Sequence, residues 1–350
     1  MAKSISVIAT PPGATIREQL NERGMSQKEF AARMALSEKH VSKLINGEVH
    51  LMPEMAVRLE TVLGVPAQFW NNLEAIYREK LIRAEAERSL AADAELAKRF
   101  PYGRMAEYGW VPVTKDPNEK AHNLRSFFEV VDLSLLESER ITRIACYRLL
   151  LTEKTDLALM AWAQQAKLLA REIPAAPIDI KALIDALPAL REMSRLEPAV
   201  FGPLIKERLA RCGIVLIVLQ QPSKASRRFA SFLDGKKIVV AVAAGNEDTD
   251  LFWSSLFHEL GHIALGHVER GSSTSEADER AADQWSQNAL VAGDELEVFL
   301  QAGDYTEQSV LRFAEKLGIS PGIIVGRMQQ DGVIRRNALN ELKEKVFIAG

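Results

Sequence analysis

The chain has 350 residues, 47% hydrophobic and 26% charged, with a formal net charge of −3 at pH 7. That balance fits a globular protein of two or three domains; it excludes a disordered chain and a polycation, so any nucleic-acid contact must come from a local patch. The two cysteines, Cys146 and Cys212, lie far apart in no C-x-x-C pair, which excludes a disulfide framework and a thiolate zinc site and suits a reducing cytoplasm.

Residues 1–12 read as an extended lead-in ended by Pro11-Pro12-Gly13, too short in apolar character for a signal peptide. From Ala14 to about Leu90 the pattern is short helices with sharp punctuation. Ser26 is placed to cap a helix beginning at Gln27, with Glu29 at the capping-box position. Ser37 is placed to cap the next, Glu38 to Ile45, which Asn46-Gly47 stops. Pro53 opens a helix that Gly64 ends, and Phe69 to about Leu90 forms a longer charged one. Residues 91–200 are helical by period, with breaks at Pro101-Tyr102-Gly103, Pro112 to Pro117 and Pro174 to Pro177, and carry no recognisable chemistry.

The period changes at Arg211. Gly213 to Leu219 is a β-branched run of the kind that forms a buried strand. Arg228 to Leu233 and Lys236 to Ala244 flank Asp234-Gly235, a hairpin signal. Asp250 to about His267 is helical, a loop follows through Gly271–Ser275, and another helix runs from Glu276 to about Val291. Residues 305–350 return to short helices, with Ser320-Pro321 at one start and Gly332 as a break. No run of apolar residues is long enough to span a membrane.

His258-Glu259-Leu260-Gly261-His262 matches H-E-x-x-H. On a helix, positions four apart lie about 40° apart around the axis, so both imidazoles can reach one Zn²⁺ ion. Glu259 is offset from each by roughly 60–100° and is placed to take a proton from an activated water rather than to bind metal. A catalytic zinc needs a third protein ligand. Leu265 and Val268 stand where a metzincin would have Gly and His, so that class fails. His267, nine residues past His258, falls about half a turn away and reads as surface or as a group behind a ligand. Glu279 and Asp283 share a helix face in an E-x-x-x-D spacing that resembles thermolysin-like zincins, where the Glu ligates and the Asp accepts a hydrogen bond from a ligating His. Glu276 is the rival third ligand. The strand Lys236–Ala244 is a candidate for pairing with a substrate segment.

Met25 to Gly47 has helix–turn–helix spacing. Phe30, Ala31 and Met34 are apolar on one helix, Val41, Leu44 and Ile45 on the next. Gln27, Arg33, Ser37, Glu38, Lys39, His40, Ser42 and Lys43 are the candidate DNA contacts, and because Glu38 repels phosphate, Lys39, Lys43 and Arg33 carry most of the attraction.

Two resemblances follow. Gly24 to Met34, Val41 to Gly47, Leu51 to Leu59 and Pro66 to Leu73 resemble the Xre-type helix–turn–helix of HigA/VapI antitoxins. Cys212 to Val215, Asp250 to His262 and Glu279-Arg-Ala-Ala-Asp-Gln-Trp285 resemble the ImmA/IrrE metallopeptidases, with Glu279, Ala282, Asp283 and Trp285 on the family's E-x-x-A-[ND]-x-[FW] segment. The chain departs from that family at Ala289 to Gly293, which lacks the usual apolar-Pro ending, and at His267, one residue late.

The element pattern and the resemblances together lead us to expect a mainly α protein: an all-α helix–turn–helix domain over 1–92, a helical spacer or dimerisation region over 93–195, a small α+β zincin-like domain over 196–300 and a helical extension over 301–350. The resemblance to the metallopeptidases makes Glu279 the third zinc ligand. The function implied is a cytoplasmic, homodimeric transcriptional regulator that binds a double-stranded operator. Its zinc peptidase would cut a repressor or antitoxin-type protein. The alternative is a non-enzymatic antitoxin or repressor that uses the same fold as a sensor or to bind a partner such as a toxin.

Overall fold

The computed structural model describes residues 10–137, 157–222, 229–268 and 275–348. The first nine residues of the lead-in, Cys146, Arg228 and loop residues 271–274 lie outside them. The chain divides into two compact units, Met1–Ala92 and Asp93–Gly350, and the division falls within a helix.

Among the described residues the elements of the first unit are all helices: α1 (Pro12–Glu22), α2 (Gln27–Arg33), α3 (Glu38–Ile45), α4 (Pro53–Leu63) and α5 (Ala67–Ala97). Ser26 and Ser37 cap α2 and α3, accepting hydrogen bonds from the N–H groups of Glu29 and His40 and so satisfying donors that the first turn leaves open. The Glu29 carboxylate accepts from Arg33 within α2. Ile16, Phe30, Met34, Val41, Leu44, Leu59 and Trp70 form one core. Gly13 lets α1 approach the end of α3, since a Cβ there would lie 2.0 Å from the Ile45 carbonyl oxygen. The turn between α2 and α3 places Ala35 in the left-handed region at φ 51, and Arg58 of α4 donates to the Met34 carbonyl at 3.0 Å. The helix expected to end near Leu90 continues to Ala97, because no Gly or Pro stands between Pro66 and Pro101.

The second unit begins with helices: α6 (Tyr102–Glu107), α7 (Pro117–Phe128), a 3₁₀ turn (Leu133–Glu137), α8 (Leu157–Arg171), α9 (Ile180–Glu192) and α10 (Pro198–Ala210). The chain then enters a three-stranded sheet of order β1-β3-β2: β1 (Ile214–Leu219), β2 (Phe229–Asp234) and β3 (Lys237–Ala243). β1 runs parallel and β2 antiparallel to β3. Asp234-Gly235 makes the expected hairpin, with Gly235 at φ 61. β1 and β3 are buried almost throughout, as strands covered on both faces must be. Ile214, Leu216, Ile238, Val240 and Val242 join the main core. The alternate residues turn the other way, where α8 packs on β1 and β3.

After β4 (Gly245–Asp248) come α11 (Thr249–Ala264), α12 (Glu276–Leu290), α13 (Gly293–Ala302), α14 (Glu307–Leu317), α15 (Pro321–Gln330) and β5 (Lys345–Ile348), which pairs antiparallel with β4. One core runs from Leu183 of α9 to Val346 of β5 and holds α11 at its centre through Phe252, Trp253, Leu256, Phe257 and Leu260. The β4–β5 ribbon and α13 are not legible in the sequence. The two strands are four residues each and lie about a hundred residues apart, with Gly-Asn-Glu-Asp as one partner.

The hairpin strand expected to take a substrate segment is the central one. Both edges of β3 are already hydrogen-bonded, to β1 and to β2. Strand addition needs an unpaired edge. Among the described residues β2 pairs on one side alone, so the open edge nearest the H-E-x-x-H helix belongs to Phe229–Asp234.

Candidate metal centre and nucleic-acid interface

α11 buries its apolar stripe and turns the opposite stripe towards α12. Gly261 stands at the crossing: a Cβ there would meet the Ala282 carbonyl oxygen at 3.0 Å and the Trp285 ring at 3.1 Å. Ala282 is fully buried. These two small residues let the helices approach closely enough for a carboxylate on one to reach imidazoles on the other.

Three of the chain's six histidines gather here. His258 Nε2 lies 3.0 Å from His262 Nε2. Glu279 Oε2 lies 3.3 Å from the first and 3.5 Å from the second. The ligand atoms of His258, His262 and Glu279 all fall within 4.8 Å of one another. Glu276, the rival third ligand, points away, 94% exposed and 3.9 Å from Arg280. Asp283 Oδ1 lies 2.7 Å from His258 Nδ1. A carboxylate only accepts, so that nitrogen carries the proton and Nε2 presents its lone pair to the cluster. Acceptors converging at such distances repel unless a cation lies among them, and two imidazoles with one carboxylate form a donor set that metal ions accept. The residues present therefore fit a metal ion.

Burial pushes the pKa of His262 down to about 4, with the neighbouring His258 adding to the shift and Glu279 opposing it. The imidazole is thus neutral at pH 7, the form that binds metal.

Glu259 is buried beside the cluster, and Ser231 donates its hydroxyl proton to Glu259 Oε2 at 2.5 Å. Ser231 was invisible to sequence reasoning. It sits on β2 opposite Val240 and so shares the sheet face that packs on α11, a relation set by strand register alone. His267 is also misplaced by helix arithmetic. α11 stops at Ala264, Gly266 takes φ 70, and the chain folds back. His267 is buried, with Nδ1 3.0 Å from His262 Nδ1. A cleft of about 720 Å³ opens over the cluster, bounded by Phe229, His258, Glu259, Glu279, Ile323 and Arg336.

In the first unit Gln27, Arg33, Ser37, Glu38, Lys39, Ser42 and Lys43 are exposed, while His40 is half-buried and its Nε2 is enclosed without a hydrogen-bond partner among the described residues. Arg33 is held 2.7 Å from Glu29, and the Ser37 hydroxyl is engaged in the cap. The exposed cations of α3 are Lys39 and Lys43.

Comparison with known proteins gives two family matches. Residues 16–70 match the family described as Helix-turn-helix, and residues 210–329 match the peptidase-family domain described as IrrE N-terminal-like. The chain is 38% identical over 79 residues to YddM of Escherichia coli (strain K12), an uncharacterized HTH-type transcriptional regulator; the match covers 23% of this chain and 80% of YddM. It is also similar to an addiction module antidote protein of the HigA family from Coxiella burnetii, at 25% identity over 24% of this chain and 92% of that one, with a TM-score of 0.22.

Proposed function

This chain belongs to the helix–turn–helix transcriptional regulators and carries an IrrE N-terminal-like peptidase-family domain, and from that premise we propose that it binds an operator through α3 and hydrolyses a peptide bond at the α11–α12 cluster. The observation that carries the enzymatic part is the convergence of His258, His262 and Glu279 within 4.8 Å, with the Glu259 carboxylate on the same helix.

His258, His262 and Glu279 would hold Zn²⁺, the ion best suited to two imidazoles and one carboxylate with a position left open. When bound, zinc supplies Lewis acidity that brings the pKa of water to about 7 and polarises a carbonyl. Glu259 takes the proton of the attacking water and returns it to the leaving amine as the C–N bond breaks. Ser231 holds that carboxylate in place through Oε2. Asp283 keeps the His258 lone pair turned inward. The substrate segment pairs with the open edge of β2 and lays its side chains into the cleft. The substrate class is a repressor or antitoxin-type protein, and the chain works as a homodimer in the cytoplasm, reading paired half-sites.

Wild type and Glu259→Gln, purified as full chains, are loaded with zinc and mixed with helix–turn–helix repressors encoded nearby. Both bind one equivalent of zinc by atomic absorption, and wild type alone cuts. If both bind zinc and neither cuts any candidate, the domain acts as a non-enzymatic sensor or binding module.

A further inference from the structure

His267 Nε2 lies 3.3 Å from Asp278 Oδ1, and His267 Nδ1 lies 3.0 Å from His262 Nδ1. A neutral imidazole has one nitrogen that donates and one that accepts, and a carboxylate accepts alone. Facing Asp278, His267 carries its proton on Nε2. Its Nδ1 then accepts, so the proton in the contact between the two rings belongs to His262 Nδ1. That leaves the lone pair of His262 on Nε2, turned towards His258 and Glu279. It is the same tautomer that Asp283 imposes on His258 by direct contact.

Asp278 is itself fixed. Its Oδ2 accepts from the Ser275 N–H at 2.9 Å and from the Ser275 hydroxyl at 2.8 Å, while Ser275 Oγ accepts from the Asp278 N–H, a capping box at the start of α12. His267 is held against His262 by its own N–H, which donates to the His262 carbonyl at 2.8 Å. Each ring of the proposed ligand pair is therefore backed by a carboxylate of α12: Asp283 directly, Asp278 through a second imidazole.

We infer that Asp278 and His267 are positioning residues that form a proton-ordered relay, Asp278 to His267 to His262, and hold His262 in the Nδ1–H tautomer with Nε2 ready for metal. The inference deepens the reading of His258, His262 and Glu279 as a zinc site, and rests on it for its purpose. The relay is built by the turn at Gly266, which carries His267 back over the last turn of α11.

Two measurements test it on the full chain. In metal-free wild type labelled with ¹⁵N-histidine, two-bond ¹H–¹⁵N correlation spectra show His262 protonated at Nδ1 and His267 at Nε2. The opposite pattern at either ring overturns the relay. Zinc affinity is then measured by chelator competition for wild type, His267→Asn and His267→Leu. The Asn Oδ1 falls near the place of the imidazole Nδ1 and accepts the same proton, so Asn stays within about threefold of wild type, while Leu loses roughly 10–100-fold, the range for losing an orienting partner of a ligating His. Leu binding as tightly as wild type, or Asn as weakly as Leu, overturns it. If wild type binds no zinc, the metal reading fails, and the spectra still decide the relay.

Discussion

At the scale of single residues, the cluster is a set of acceptors whose protons are pinned from outside. Glu279 and Glu276 stand one helical turn apart on α12, yet only Glu279 reaches the imidazoles. Glu279→Gln is expected to weaken zinc binding at least tenfold in chelator competition, and Glu276→Gln to leave it unchanged. The neutral state of His262 has a cost in acid. Its folded pKa of about 4 lies below the unfolded value of 6.5. Between those values the unfolded chain binds a proton that the folded chain does not, so the contribution is full above pH 6.5 and is lost as pH falls towards 4. In metal-free protein the urea midpoint of the second unit should drop across that window, and His262→Gln should flatten the drop. Of these residues, His258, Glu259 and His262 were legible in the sequence because their spacing sets one helix face, while Glu279 and Asp283 stood out by spacing and family resemblance with Glu276 left as a rival. Ser231, Asp278 and the orientation of His267 were not, because each depends on a register, a cap or a turn that brings separate segments together.

At the scale of elements, the site depends on how closely α11 and α12 cross. Gly261→Ala puts a Cβ 3.0 Å from the Ala282 carbonyl oxygen, a contact that yields only by a shift of α12. Gly261→Leu should separate the helices and lower zinc affinity by at least tenfold, with Ala intermediate between Leu and wild type. In the helix–turn–helix, exposed Ala35 adopts φ 51 in the turn that sets α3 against α2. A left-handed backbone costs an L-residue about 1–2 kcal/mol, more when the side chain is β-branched. Ala35→Val should therefore lower stability by about 1 kcal/mol or more in urea titration, while Ala35→Gly does not. The helix starts at Ser26, Ser37 and Pro53 and the Asp-Gly hairpin were readable because caps and turns are local chemistry. Strand order was not. A hairpin signal says that β2 and β3 pair, but not that β1 takes the far side of β3 and leaves β2 at the edge.

At the scale of the whole molecule, a net charge of −3 leaves nucleic-acid affinity to a few exposed cations. Each phosphate contact contributes about −0.9 to the slope of log affinity against log salt. Lys39→Ala and Lys43→Ala should each weaken operator binding and flatten that slope by about one, measured by titration at several salt concentrations; unchanged slopes would move the contacts off α3. Zinc that binds only the folded state stabilises it by about 4 kcal/mol at a free concentration a thousand times its Kd, so removal by chelator should lower the melting temperature of wild type and leave Glu279→Gln little affected. The sequence by itself determined the matches to two family descriptions, the helix that carries H-E-x-x-H and a second, acidic helix with candidates to answer it, because these are written in spacings of three and four within single helices. Only the tertiary structure decided which acidic residue closes the cluster, which strand keeps an open edge, and that His267 stands behind His262. Those outcomes depend on contacts between segments distant along the chain or turned by a single left-handed glycine, and no local periodicity encodes them.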